Sequence, residues 1–517
     1  MAIRLSGLAS GMDTEGMVTE LMKAQRMKTT KLQNKITTLE WTKEKWSGLN
    51  TKFYSFYTGA LSKLRFQSSF NVMKASSSNE AKVEVTAGTT APEGTHSIEV
   101  KQLASAQFVT GSASLAKSDG TDISGTTKLV DLGFKSSEGT TINIQAGTKT
   151  TALTIGDGTT IDDFVKKLRD VGLNANYDTA QKRFFISSKQ SGTDNAFTIT
   201  TSSAVTNNLS MLGLSEIKKE TDGSISYGSN VKLVQPANAK VVYNGAELTS
   251  SSNTITANGL TFTVKGLTTG LDPLDPADDE KVNLNVSNNT QAVYDMVKGF
   301  VKKYNELMTE MNDSYGAASA KGFAPLTDDE KATMSETQID KWEDKIKTSL
   351  LRRDSNLNTL IDSMRSSVNS NVEVDGKRYS LSSFGIASTS YTEKGLLHID
   401  GDADESITSG KENKLMNALN TDPDKVAAVI TELAGNLFSE MTKNMKSSTM
   451  RSALTLYNDK EINKNITDYQ SDLSGLEKRL KKMEDGYYKQ FSAMETAMNK
   501  MNSQSSSLAA MLGTGSK

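Results

Sequence analysis

From Ile462 to Met511 the apolar side chains return in alternating steps of four and three, through Ile466, Tyr469, Leu473, Leu476, Leu480, Met483, Tyr487, Met494, Ala497, Met501 and Leu508, with Gln490 and Gln504 as the polar exceptions. That alternation sets every position on one seam of an α-helix, and a seam kept for about seven heptads requires a long helix with something packed along it. All six prolines fall between Pro92 and Pro423, so neither end of the chain carries the residue that most surely interrupts a helix. The N-terminal end repeats the spacing with more polar members: Val18, Met22, Gln25, Thr29, Leu32, Ile36, Leu39, Lys43, Trp46, Asn50, Phe53, Tyr57, Ala60 and Leu64. At 1.5 Å per residue each row spans roughly 70 Å if continuous, and this match in length makes each end the natural partner of the other. Gly48, in the stretch WSGLN, predicts a kink or break near Trp46 that divides the N-terminal row into two helices. The pattern leaves two arrangements open, a hairpin closed within one chain and a bundle shared by several.

Between these ends the texture changes. From about Val72 to Val286, Gly, Ser, Thr and Asn dominate, and short alternating runs (AKVEVTAG, HSIEVKQL, KRFFISS, FTITT, LTFTVKGL, VNLNV) read as half-buried strands separated by turns. One helix interrupts them, where Ile161, Phe164, Val165 and Leu168 share a face and Thr160 can cap the start. Helices return after Val286. One carries Val293, Val297, Phe300, Tyr304 and Leu307; the next starts with capping-box spacing between Ser335 and Gln338; a third carries Leu357, Leu360, Ile361, Met364 and Val368. A short β-like insert, SLSSFGIASTSYTEKGLLHID, precedes a helix from Leu415 to about Leu437. The fold class expected is therefore α+β and multidomain: paired terminal coiled-coil helices, a helical body, and β-rich domains inserted in the middle.

Chemistry has few footholds. The formal charge of -2 lacks the basic excess of a nucleic-acid binder, and no apolar run is long enough to span a bilayer. The opening MAIRLSGLASGMDTEGM lacks the apolar centre of a cleavable secretory signal, so the chain is expected to be soluble or to be exported by another route. No cysteine is present, which removes disulfides, thiol nucleophiles and thiolate metal sites. The two histidines, His96 and His398, stand far apart in alternating runs and read as ordinary strand residues. In IDGDADES, the residues Asp400, Asp402 and Asp404 imitate the start of a calcium loop, but Glu405 stands where a glycine is wanted and Lys411 where a closing glutamate should be. That run reads as a solvated turn, and LDPLDPADDEK as an exposed loop. No phosphate loop, nucleophile elbow or dinucleotide fingerprint occurs. No catalytic, cofactor-binding or metal residue is expected, and no enzymatic activity. The thioethers of Met483, Met494, Met501 and Met511 suit helix packing, and also an interface that adapts to more than one neighbour.

Several stretches, in a common order over most of the chain, resemble the flagellar filament cap family (FliD, flagellar hook-associated protein 2), in its Gram-positive form. They are LSGLASGMDTE near the start, APEGTHSIEVKQLASAQ, IDDFVKKLRDVGLNANYDTAQKRFFISSKQSG (similar to the IN-type repeat of flagellin and hook-associated proteins), FVKKYNELM, PLTDDEKATMSETQIDKWEDKIKTSLLRRDSNL, GLLHIDGD and KLMNALNTDPDKVAAVI. Two departures stand out: Lys167 and Arg169 flank Leu168 where an Ile-Asn pair is usual, and Ile430 replaces a common phenylalanine.

The resemblance implies four parts: residues 1–40 with 456–517 as a terminal helical leg; 41–71 with 288–455 as a helical body; 72–115 with 228–287 as a β-rich head; and 116–227 as an outer β-rich head with the IN-type repeat. It implies a small ring of copies at the distal filament tip that retains exported flagellin and promotes its folding and insertion. Partners would be flagellin, other copies, an export chaperone and the flagellar type III export apparatus, with extracellular localisation and no cleaved signal. Leg, filament and oligomer contacts would fall on Leu5, Leu8, Met12, Met22, Leu32, Ile36, Leu39, Leu473, Leu476, Leu480, Met483 and Tyr487. Chaperone or filament contacts would fall on Met494, Met501, Leu508 and Met511. The alternatives are a flagellin-like or hook-filament junction subunit, and a surface adhesin whose Ser/Thr-rich β head binds host glycan or mucin.

Overall fold

The computed structural model describes residues 13–117, 120–202, 209–268, 280–511 and 513. Its ten described α-helices are α1 (Thr14–Thr58), α2 (Ala60–Leu64), α3 (Ile161–Asp170), α4 (Thr290–Tyr315), α5 (Asp328–Ala332), α6 (Glu336–Ser349), α7 (Ser355–Val368), α8 (Lys414–Thr421), α9 (Pro423–Asn444) and α10 (Asp459–Met511). The chain divides into two compact units, Met1–Phe70 with Thr290–Lys517, and Asn71–Asn289.

The first unit is helical. Asp13 caps α1 by accepting the Gly16 N–H at 2.8 Å, and the helix then runs for 45 residues. The predicted break at Gly48 does not occur. Gly48 faces solvent while Trp46, Leu49 and Phe53 beside it are buried, and packing of these large side chains outweighs the roughly 1 kcal/mol of helix propensity that a glycine forfeits. The break comes instead at Gly59, whose backbone (φ -96°, ψ -100°) leaves the helical region before α2 begins.

Phe56 packs against Phe300 of α4 at 5.5 Å between ring centroids, and Tyr57 stacks on Phe438 of α9 at 4.1 Å. The predicted stripes of α4 and α7 are buried throughout. The Ser335–Gln338 capping box forms at the start of α6. The helix expected from Leu415 to Leu437 is two: Pro423 offers no N–H and holds Asp422 out of the helical region, so α8 ends and α9 restarts with Asp422 as its cap. The insert before them holds only two-residue strands, Ile386–Ala387 and His398–Ile399.

The second unit is β-rich with two hydrophobic cores. One lies between a five-stranded antiparallel sheet (ordered 73–77, 282–288, 94–102, 239–243, 246–250) and a three-stranded sheet (254–257, 260–264, 83–87), and centres on Ile98, Val241, Phe262 and Leu284. The other lies among a five-stranded sheet (225–227, 217–219, 197–201, 141–146, 149–154), a four-stranded sheet (231–234, 108–111, 183–187, 174–178) and α3. Thr160 and Asp163 form a capping box at the start of α3, and these hydrogen bonds hold the Asp163 carboxyl below its ordinary range. Phe164 meets Phe184 edge to face at 5.4 Å, which pins the helix to the sheet.

Candidate interaction surfaces

The described residues contain no group of three or more His, Cys, Asp or Glu able to hold a metal, and no helix among them is long and apolar enough to cross a membrane. The acidic run at 400–404 is neutralised by lysines. Lys298 on α4 reaches Asp402 at 2.6 Å and Asp404 at 2.5 Å, and Lys411 reaches Asp400 at 2.8 Å. Burial works against the Lys298 ammonium, but its hydrogen bonds to Asp402 and Asp404 win, so its pKa lies above the ordinary lysine range. Lys298 lies more than a hundred residues upstream in sequence, and no local motif announces it. Nearby, His398 stands between Glu405 (2.9 Å) and Glu393 (3.3 Å). His96 donates to the Pro92 carbonyl at 3.1 Å, while Tyr243 Oη and Asn244 Nδ2 lie about its Nδ1 at 3.0 and 2.9 Å.

The extended surface of the first unit belongs to α1 and α10, which pack antiparallel. At the root, Asn50 donates to the Leu454 carbonyl (3.2 Å) and accepts the Leu456 N–H (3.0 Å), while Trp46 stacks on Tyr457 at 5.8 Å. Farther along, Lys35 Nζ lies 5.5 Å from the Tyr469 ring and Arg26 pairs with Glu484 at 3.5 Å. No member of the predicted N-terminal row from Val18 to Leu64 is exposed, and Met22 and Ile36 are buried with Leu32 and Leu39 half-buried. Opposite them Leu473, Leu476, Leu480 and Tyr487 are half-buried.

The C-terminal seam then departs from the heptad. Met483 (37 % exposed), Met494 (38 %), Met501 (68 %), Leu508 (59 %) and Met511 (88 %) stand outside it. The half-buried positions become Glu484, Tyr488, Phe491, Glu495 and Met498. Three successive steps of four, from Leu476 through Leu480 and Glu484 to Tyr488, move the contact by one residue. An α-helix of 3.6 residues per turn drifts about 20° per heptad against a strict 3.5 repeat, and this stutter corrects the drift at the expense of the methionine row. Leu5, Leu8 and Met12 lie outside the described residues.

Two features escaped the sequence reading. Met17 and Leu21 are exposed on α1, each one position before a buried seam residue. The hairpin of α5 and α6 stands against the root of α1: Lys347 Nζ lies 4.7 Å from the Trp41 ring, and Glu343 takes Lys331 at 2.7 Å and Lys347 at 3.2 Å. Burial pushes the Glu343 carboxyl up, but the hydrogen bonds from Lys331 and Lys347 outweigh it and hold it below its ordinary 4.5.

Comparison with known proteins places this architecture. Residues 10–107 match the family model for the flagellar hook-associated protein 2 N-terminus, and residues 236–503 the model for its C-terminus. The chain is 26 % identical to flagellar hook-associated protein 2 of Halalkalibacterium halodurans over 98 % of this chain and 99 % of that one. It is 23 % identical to B-type flagellar hook-associated protein 2 of Pseudomonas aeruginosa over 88 % and 86 %. In fold it is similar to the crystal structure of the flagellar cap protein FliD D1-D2-D3 domains from Escherichia coli, with a TM-score of 0.52 and 19 % identity, covering 82 % of this chain and 99 % of that one.

Proposed function

This chain belongs to the flagellar hook-associated protein 2 family, and from that premise we propose that it caps the flagellar filament: a small ring of copies at the distal tip, outside the cell, retains exported flagellin and promotes its folding and insertion. The observation that carries this reading is the antiparallel leg built from both chain ends, with a β-rich unit inserted between them. A leg of two long helices with an apolar row left open can hold helical neighbours without covalent chemistry, and thioethers adapt to neighbours that change as subunits are added. We keep the four-part division, with the leg at residues 1–40 and 456–517, and assign filament and oligomer contacts to the exposed flank of the leg that includes Met483, since Met22 and Ile36 are taken up by the seam between α1 and α10. Met494, Met501, Leu508 and Met511 serve the export chaperone before passage through the type III apparatus, and the filament after it.

The test is to add labelled chain to filaments that lack caps and examine them by electron microscopy. Label confined to one end is expected; label absent, or spread along the sides, overturns the reading. A second role in glycan binding has one observation in its favour. Phe108 and Phe185 are exposed on the outer face of the four-stranded sheet, with Thr110 and Asn176 opposite Phe185 and Val234 opposite Phe108. Aromatic faces beside amide and hydroxyl groups suit sugar stacking. Glycan-array binding by the full chain, lost in Phe108→Ala/Phe185→Ala, is the expected result, and no binding removes this role.

A further inference from the structure

The leg carries a bipartite face that neither the seam nor the body uses. Each helical residue advances about 100°, so a residue one position before a seam residue lies about 100° back from the contact. In an antiparallel pair, equal setbacks on the two helices fall on the same side. On α1 this row reads Met17, Leu21, Lys28, Lys31 and Lys35, standing before Val18, Met22, Thr29, Leu32 and Ile36. On α10 it contains Met494 before Glu495, Met483 before Glu484, Arg479 before Leu480 and Asp472 before Leu473, and all nine of these side chains are exposed. The Arg26–Glu484 and Lys35–Tyr469 contacts bracket the register, so that Met17 lies toward Met494 and the lysines lie toward Arg479. The face is therefore apolar toward the chain termini and net basic toward the root, where Lys28, Lys31, Lys35 and Arg479 stand against Asp472.

The basic half belongs to a wider collar. Residues 23–35 and 475–489 together hold ten Lys or Arg against three Asp or Glu, a net charge of +7 in a chain whose total is -2. Among the described residues, Lys23 pairs with Glu20 on its own helix, Arg26 with Glu484, and Lys35 lies over the Tyr469 ring.

We infer that this face docks an acidic amphipathic helix of another protein, about eighteen residues long, with an apolar stripe over one half and clustered Asp or Glu over the other. Charge complementarity selects this occupant. The same face of a second copy brings lysines to lysines when aligned and to methionines when offset, and its row supplies Asp472 as the one carboxylate against four cations. A bare polyanion satisfies the collar but leaves Met17, Leu21 and Met494 in water. The inference rests on the leg surface alone and does not depend on the filament-tip reading.

The test uses the full chain and a fluorescein-labelled synthetic helical peptide with leucines in heptad spacing over one half and glutamates over the other, followed by anisotropy. Binding that weakens about tenfold or more between low and physiological salt is expected. A loss of similar size is expected in K28E/K31E/K35E/R479E and in M17S/L21S/M494S, while K28R/K31R/K35R/R479K keeps the affinity. Circular dichroism checks that each variant stays helical. The inference fails if the peptide does not bind, if charge reversal leaves binding unchanged, or if an oligonucleotide or anionic vesicles bind as tightly as the peptide. It also fails if sedimentation shows self-association that M17S/L21S/M494S abolishes and charge reversal does not, which makes the face a contact between copies.

Discussion

The two halves of the leg follow one sequence rule and meet different fates. At the root, Ile36, Trp46, Leu49, Phe53 and Phe56 of α1 are at most 4 % exposed, because α1 meets both α10 and the body helix α4. α10 has no buried residue at any point along its length, and its methionine row grows more exposed toward the end, while Val18 and Met22 of α1 stay buried in the distal half. The same 3-4 spacing thus keeps the α1 row covered along its length and leaves the distal α10 row as a surface. Periodicity states that a row has a side; whether that side is dry depends on how many elements reach it.

Substitutions can break this contrast. Phe53→Ala, at a fully buried root position, should destabilise the helical unit by roughly 3–5 kcal/mol in chemical denaturation, whereas Met501→Ala should stay within about 0.5 kcal/mol. Equal losses would show that the distal row is covered in the free protein. Asn50→Ala leaves the Leu454 carbonyl and the Leu456 N–H without their side-chain partner and should cost about 1–3 kcal/mol, with no effect on peptide binding by the distal face.

Acid should separate the halves more gently. The body that anchors the root is closed by the loop carrying Glu393, whose carboxyl is held below its ordinary 4.5, first by a hydrogen bond from Thr389, against a small burial penalty, and then by the charge of His398. A depressed carboxyl contributes stability that is fully present above its unfolded value and lost as pH falls through the folded one. Protection of amides in residues 389–405 should therefore drop below about pH 4.5 in hydrogen exchange, whereas Glu393→Gln, which resembles the protonated acid, should already be less protected at neutral pH and lose the acid step. Smallest of all, Gly48→Ala should raise stability by about 0.5–1 kcal/mol, because a Cβ there meets nothing within 4 Å. A loss instead would mean that the helix needs the freedom its sequence advertises.

Much of this was legible beforehand. The stripes of α4 and α7, the caps at Thr160 and Ser335, and the N-terminal row followed from spacing alone, because each depends on contacts that local geometry dictates. Gly48 misled because propensity is small beside the burial of Trp46 and Phe53. The strands Thr141–Ala146 and Lys149–Thr154 went unread because Thr, Asn, Gln and Lys dilute their alternation to a few apolar residues. The departure of α10 from its own heptad needed the partner helix in view, since drift accumulates only along a packed seam.

One further consequence attaches to Lys298. A calcium loop is filled only as long as its ion is abundant, because a ligand stabilises by mass action. Here the cation is an ammonium tethered to α4, so its local concentration is set by the chain and not by the surroundings. The 400–404 turn should keep its conformation in chelating medium and in brackish water alike, with a melting temperature indifferent to EDTA.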